Sequence, residues 1–223
     1  MVDVIQTVRE IVESIDEKIN GTVSGKEITT CNKGYAMVGC PITINGQSYK
    51  IVSVTDSKIV VDKDITTNST YTISLKKPVF VHGTVRSYNS EHLLRLGENG
   101  DYPVVFLLEE LNYDTQDFRV PYAKSDVSIF FIAQTNDIDN YMEEHHTNEI
   151  NPLQRLCGRF LDSYRVSPLV ESSFKSRDRI HLHPMLAYTD RNGHTKKLFD
   201  DQLSAVRLDK EIGLKKNVKC CTN

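Results

Sequence analysis

Apolar residues near the start of the chain recur every three or four positions: Val4, Ile5, Val8, Ile11, Val12, Ile15 and Ile19. Glu10, Glu13, Asp16 and Lys18 lie off that stripe. The spacing predicts a long amphipathic helix over 2–19, because a period near 3.6 residues sets these positions on one face. Gly21 reads as its stop. Such a stripe must be covered, either by the chain's own core or by a neighbouring subunit. Val4, Val8, Ile11 and Ile15 are therefore the candidate packing residues of this helix.

From 22 to 84 the pattern shortens to strand-like runs. Ile42-Thr43-Ile44 and Ser48 to Val54 flank Asn45-Gly46, a dipeptide that suits a two-residue hairpin turn because both positions take positive φ. Ile59-Val60-Val61 and Tyr71-Thr72-Ile73 follow, and Pro78 to Thr84 reads as an exit strand ending at Gly83. Short strands at this spacing predict a small meander or barrel-like unit. Beyond it, 86–98 reads as a helix. Tyr102 to Leu108 and Asp126 to Ala133 read as buried central strands, joined by the polar stretch Asn112 to Lys124 into a long antiparallel hairpin. The residues 135–149 hold five carboxylates and neither Lys nor Arg, as a solvated loop or helix start would.

Ile150, Leu153, Leu156, Cys157, Phe160, Leu161 and Tyr164 then share one face of a helix that Pro152 opens and Pro168 limits. The stretch 171–179 is polar and reads as a loop. Asn192-Gly193 marks a second hairpin between Ile180–Tyr188 and Lys197-Leu198, and Ala205 to Leu208 reads as the last strand. The residues after it make a mildly basic tail. The organisation expected is an N-terminal helix over 1–21, a β-rich subdomain or insertion over 22–84, an α/β core over 85–210 and a tail over 211–223. The fold class expected is α/β (α+β), a mixed or antiparallel sheet flanked by helices.

Composition narrows the classes. The 223 residues carry 27 Lys and Arg against 30 Asp and Glu, a net charge of −3, so no global basic excess is present to hold nucleic acid. No apolar run approaches the roughly 18 residues that a spanning helix needs. The first residues do not read as a secretory signal. With an odd count of five Cys, the thiols read as free in a reducing compartment. The sequons at Asn20 and Asn68 then read as chance matches.

Candidate chemistry is sparse. His181 and His183 alternate on a strand, so two imidazoles on one face could share a metal, but a third ligand is not evident and the plain reading is an exposed polar face. His145 and His146 are adjacent and would diverge on a helix. Cys157 reads as a core thiol. Cys31, Cys40, Cys220 and Cys221 lack the spacing of a zinc knuckle, and no base is evident beside any of them. Glu109 and Glu110 point to opposite faces if they sit on a strand. Gly21, Gly25, Gly34 and Gly39 form no phosphate loop, and no nucleophile-elbow motif occurs. The basic pairs Lys76-Lys77 and Lys215-Lys216 read as solvated surface. From these residues no catalytic group, metal or cofactor is expected.

The order of segments carries a resemblance. Pro78-Val-Phe-Val-His82-Gly83-Thr84 is followed by Tyr102-Pro103-Val-Val-Phe-Leu107-Leu108 and Val127-Ser-Ile-Phe-Phe131-Ile-Ala. Gln134-Thr135-Asn136 comes next, then the helix with Pro152, Leu153, Phe160 and Leu161. The close is a His-x-His strand, a turn, and Leu198 through Leu208. This order, with the Asn45-Gly46 hairpin before it, resembles the tail-terminator or head–tail joining proteins of tailed phages, especially those of Bacteroidetes phages. The likeness spans about 40–210.

The resemblance implies a structural virion protein made in the host bacterial cytoplasm, without catalytic residues and without membrane association. It implies a homo-oligomeric ring in the neck between portal or adaptor proteins and the tail, with double-stranded DNA passing through the lumen. The ring is six-fold in long-tailed phages. The long N-terminal helix and large β insertion depart from that pattern, so a twelve-fold ring is the alternative. Asp114, Gln116, Asp117 and Arg119 then become candidates for an interface or lumen loop, where carboxylates would repel DNA phosphates. Two other functions compete: a small metal-dependent enzyme using His181 and His183, and a cytosolic adaptor whose β unit binds a peptide.

Overall fold

The computed structural model describes residues 3–66, 69–85, 102–109, 112–114, 122–134, 146–171, 178–183, 187–189, 195–197 and 203–215. They are mostly β, which corrects the α/β expectation. The described helices are α1 (Val4–Glu13) and α2 (Asn151–Val166), the latter entered through a π turn at His146–Ile150. The remaining elements are strands. β1 (Lys18–Thr29), β2 (Pro41–Ile44), β3 (Gln47–Val54), β4 (Lys58–Ile65) and β5 (Thr70–Leu75) make one group. β6 (Val79–Gly83), β7 (Val104–Leu108), β8 (Asn112–Asp114), β9 (Tyr122–Gln134), β10 (Arg179–His183) and β13 (Leu203–Lys215) make another. β11 (Ala187–Thr189) and β12 (Thr195–Lys197) pair only with each other.

The N-terminal helix is short, not long. Asp3 caps α1 by accepting the Ile5 amide at 3.1 Å, and the helix ends where Ser14 Oγ donates to the Ile11 carbonyl at 2.6 Å. A side chain that bonds back to the helix backbone competes with a further turn. Beyond it, Ile19, Gly21 and Val23 are buried at every second position while Lys18, Asn20, Thr22 and Ser24 are not. That two-residue period is a strand's, and the four-residue step from Ile15 to Ile19 only imitates a helix stripe. Gly21 therefore stops no helix. It lies in the first half of β1, where a Cβ would stand 2.7 Å from Ile28 Cγ2, so a side chain there would collide with Ile28 farther along the same strand.

The first group closes into a barrel in the order β1-β4-β3-β2-β5. β1 makes closure possible because it serves two neighbours: residues 18–22 pair with β5, and residues 25–29 pair with β4 across a register shift between Gly25 and Glu27. Bulges bend a strand and increase its twist, which a barrel this small needs. The expected Asn45-Gly46 hairpin joins β2 to β3, with φ of 50° and 78° at the two turn residues. Ile19, Ile28, Ile42, Ile51, Ile59 and Ile73 fill the interior, each at most 2% exposed.

The second group is a sheet in the order β10-β13-β9-β7-β6, with β8 paired to the first part of β9. β6 and β7 run parallel; the other pairings are antiparallel. β7 and β9 thus form the expected antiparallel pair, and Val104 to Leu107 are fully buried. β13 extends through Lys215, past the expected end at Leu208, and pairs with β9 along its whole length. Residues read as a basic tail are therefore strand, and Lys210 is buried among them.

One face of this sheet is covered by the helices. Phe160 of α2 meets Phe131 of β9 edge-on at 5.7 Å, and Arg9 of α1 stands 5.5 Å from the Phe80 ring of β6. Val4, Val8 and Ile11 of α1 are buried in the chain's own core, as is Ile15 just beyond it, so the candidate packing stripe is satisfied internally. The helix expected over 86–98 and the Asn192-Gly193 turn lie outside the described residues. So do most of 135–149 and the Cys220-Cys221 pair.

Candidate functional site

Three clusters of polar side chains stand out. The first joins the two halves of the molecule. Glu17, in the link between α1 and β1, is 4% exposed. Arg159 of α2 grips it with a two-pronged fork: Nη2 donates to Oε1 at 2.7 Å, and Nε donates to Oε2. One turn earlier, Arg155 donates to the Gly34 carbonyl at 3.1 Å, in the loop that follows β1. Tyr35 of that loop donates its hydroxyl to the Lys76 carbonyl at 3.1 Å. Burial, then Glu17 and Asp16, push the Tyr35 phenol well above its ordinary range. The two arginines are four residues apart, so they share one side of α2. An open groove beside the fork is lined by Ser14, Asp16, Lys18, Arg159, Asp162 and Val166.

The second cluster lies under α2. Alternation along β13 turns Val206, Leu208, Lys210 and Ile212 toward the helix. Lys210 is the exception in charge, and it is compensated: Nζ donates to Asp178 Oδ1 at 2.6 Å and stands 4.4 Å from the Tyr164 ring centre. A carboxylate and an aromatic face together offset the cost of burying an ammonium. At the entrance to α2, buried Glu149 accepts the Ser204 hydroxyl at 2.5 Å.

The third cluster contains the histidine pair. His181 and His183 do share a face of β10, as their spacing predicts, with Arg207 and Ala205 of β13 opposite them. Asp209 is the hub. Its Oδ1 accepts from Ser128 Oγ and from Arg207 Nε, both at 2.7 Å, and its Oδ2 is 3.3 Å from His181 Nε2. Burial alone would raise this carboxyl, but the Ser128 and Arg207 hydrogen bonds and the charge of Arg207 hold it below the usual carboxylate range. Arg207 also stands 5.7 Å from the Phe130 ring centre, and His183 packs 6.5 Å from the same ring.

This arrangement suits structure better than metal binding. The carboxylate nearest the histidines is engaged by a guanidinium, which repels a cation. Among the described residues no group of three His, Cys, Asp or Glu side chains is placed to hold a metal ion. Two of the thiols are poor nucleophiles: burial pushes Cys40 and Cys157 up to about 12. Cys31 is exposed. Of the candidate loop residues, Gln116, Asp117 and Arg119 lie outside the described residues, while Asp114 pairs its backbone with Lys124 at the end of β8.

Sequence reasoning assigned no role to Glu17, Arg159, Asp178, Arg207 or Asp209, and placed Lys210 in a basic tail. Two signals were present: the four-residue step between Arg155 and Arg159, and the period-two run through Leu208, Lys210 and Ile212. Compared with known proteins, the chain matches no family model and no curated sequence.

The His183 environment leads to a pH prediction. Burial first, then the charges of Arg207 and His181, hold its imidazole below the ordinary histidine range. The unfolded chain takes up this proton near pH 6.5 or so, whereas the folded chain resists it. The contribution to stability is therefore complete above that pH and is lost as pH falls toward the lower folded value. Urea midpoints should drop between pH 7 and pH 5, and His183→Gln should remove part of that drop. Parallel wild-type and variant curves would refute the assignment.

Proposed function

We propose that this chain is a structural subunit of a phage neck ring, joining the portal side of the head to the tail, and that it works by contact with copies and neighbours. The order of strand and helix segments supports the reading, because it resembles head–tail joining proteins. The observation that carries it is the outer edge of β10. On one side β10 pairs with β13; on the other, no strand among the described residues pairs with it. Ile180 and Leu182 on that edge are 50% and 40% exposed. Open strand edges with apolar side chains invite another chain, and a monomeric protein usually blunts them. An open edge of this kind suits a subunit that must hold a neighbouring component of the assembly.

The internal pairing of the polar groups is in keeping with this role. Glu17 with Arg159 and Lys210 with Asp178 each tie one part of the frame to another, and Asp209 pairs with Arg207 within β13. A rigid frame with a defined edge is what an assembly subunit needs. Native mass spectrometry with elemental analysis, followed by electron microscopy of labelled particles, tests the proposal. A closed ring of six or twelve copies located at the neck is the expected result. A monomer with stoichiometric zinc or iron that is lost in His181→Ala would overturn it and favour the metal-enzyme alternative.

A further inference from the structure

The β10 edge has two chemically different faces. Ile180 and Leu182 stand opposite Leu208 and Val206 of β13, both fully buried. The apolar face that α2 covers over β13 therefore continues outward onto β10, where it meets solvent. Arg179, His181 and His183 occupy the opposite face, and Arg179 is exposed. Its cross-strand neighbour is Asp209, but both oxygens of that carboxylate are engaged by Ser128, Arg207 and His181. Glu211 and Asp126, the next carboxylates on the same face, pair across β13 and β9 away from the edge, and Glu211 stands 3.6 Å from Lys124. At the β10 end of this face two guanidinium groups, Arg179 and Arg207, stand against the one carboxylate of Asp209, which leaves that edge cationic.

We propose that β10 receives an extended strand from a different protein, one that bears carboxylates on one face and aliphatic side chains on the other. Addition of a strand to a sheet edge draws affinity from the backbone and specificity from alternate side chains. Residues that share a face of a strand recur about every 6.6–6.8 Å, so carboxylates two apart can meet Arg179 and His181 while the aliphatics between them cover Ile180 and Leu182. Opposite charges across neighbouring strands favour this register, and like charges oppose it.

A described strand of a second copy does not fit. Alternate carboxylates occur in β4, at Asp62 and Asp64, and in β13, at Asp209 and Glu211, and both strands already have neighbours on each side. β4 lies between β1 and β3 of the closed barrel. β13 is flanked by β9 on one side, and on the other by β10 and then the segment around Val170. The described strands of a second copy thus offer no free match, and the partner strand is assigned to another component. The inference rests on the assembly role proposed above and supplies the chemistry of one neighbour.

Fluorescence anisotropy with the full-length chain tests it. The probes are a labelled peptide alternating Asp with Ile, Val and Leu, its Lys counterpart, and a scrambled peptide of the acidic composition. The acidic alternating peptide should bind. Arg179→Glu should weaken it at least tenfold while improving the Lys peptide, and Leu182→Lys should weaken it similarly. Circular dichroism of each variant establishes that it is folded. Failure of the acidic peptide to bind, or equal binding of the scrambled or Lys peptide, would overturn the proposal. Sedimentation showing self-association that Leu182→Lys abolishes would assign the edge to a second copy and also overturn it. The two proposals fail separately. A neck ring whose subunit ignores the peptide removes this inference alone, and a chain absent from the neck that still binds the peptide removes only the assembly role.

Discussion

Phe131→Ala should destabilise the protein by about 3–5 kcal/mol, the cost typical of removing a large aromatic from a closed core. The residue sits in β9, the strand that links β13, β7 and β8, between Val206 of β13 and Val105 of β7. Its side chain is fully buried, and so is that of Phe160, which meets it edge-on from α2. Ile129 and Leu107 are fully buried too, so little nearby surface is free to collapse into the space. The deletion thus removes transfer energy, leaves a cavity, and forfeits an aromatic pair worth about 0.5–1.5 kcal/mol. Phe131→Leu retains most of the volume and should cost well under half as much. Urea denaturation at pH 7 measures both. A loss under 1 kcal/mol or so for Phe131→Ala would mean that α2 does not rest on β9 as described.

The same contact marks how far the sequence could be read. The stripe from Ile150 through Tyr164 sits on a helix without competing signals, and α2 lies where the periodicity puts it. The near-continuous apolar runs of β7 and β9 were legible as buried strands, and Asn45-Gly46 as a turn, because local chemistry decides each. Fold class was misjudged where local signals were ambiguous. Ile15 and Ile19 satisfy a helical step and begin a strand alternation at once, and only closure of the barrel decides for the strand. β13 runs past Leu208, and Lys210 and Lys215, which read as part of a basic tail, belong to the strand. The burial of Lys210 depends on Asp178 and Tyr164, which lie 32 and 46 positions away by residue number, and no window around Lys210 contains them. The histidine pair was legible as sharing a face, but the aspartate that occupies it comes from another strand.

Arg159→Ala should cost about 2–3 kcal/mol, more than the removal of its partner. The asymmetry follows from exposure: the Glu17 side chain is 4% exposed, that of Arg159 48%. Deleting the arginine strands a carboxylate that water barely reaches, whereas deleting the carboxylate leaves a guanidinium already half in solvent. A fully buried pair broken on one side loses roughly 3–5 kcal/mol, and the exposed half of Arg159 lowers that figure here. Glu17→Gln keeps the shape and one acceptor, so it should cost about 1 kcal/mol. Arg159→Lys should recover little, because an ammonium cannot reproduce a two-pronged fork. The double variant Glu17→Gln with Arg159→Ala should be less destabilised than the sum of its parts, since the stranded charge is gone. The coupling measured in that cycle, by urea denaturation at pH 7, reports how strongly α2 holds the barrel. A zero coupling, or a larger loss for Glu17→Gln than for Arg159→Ala, would show that the fork does not join the two halves and that the Tyr35 loop and the apolar contacts around it hold them together unaided.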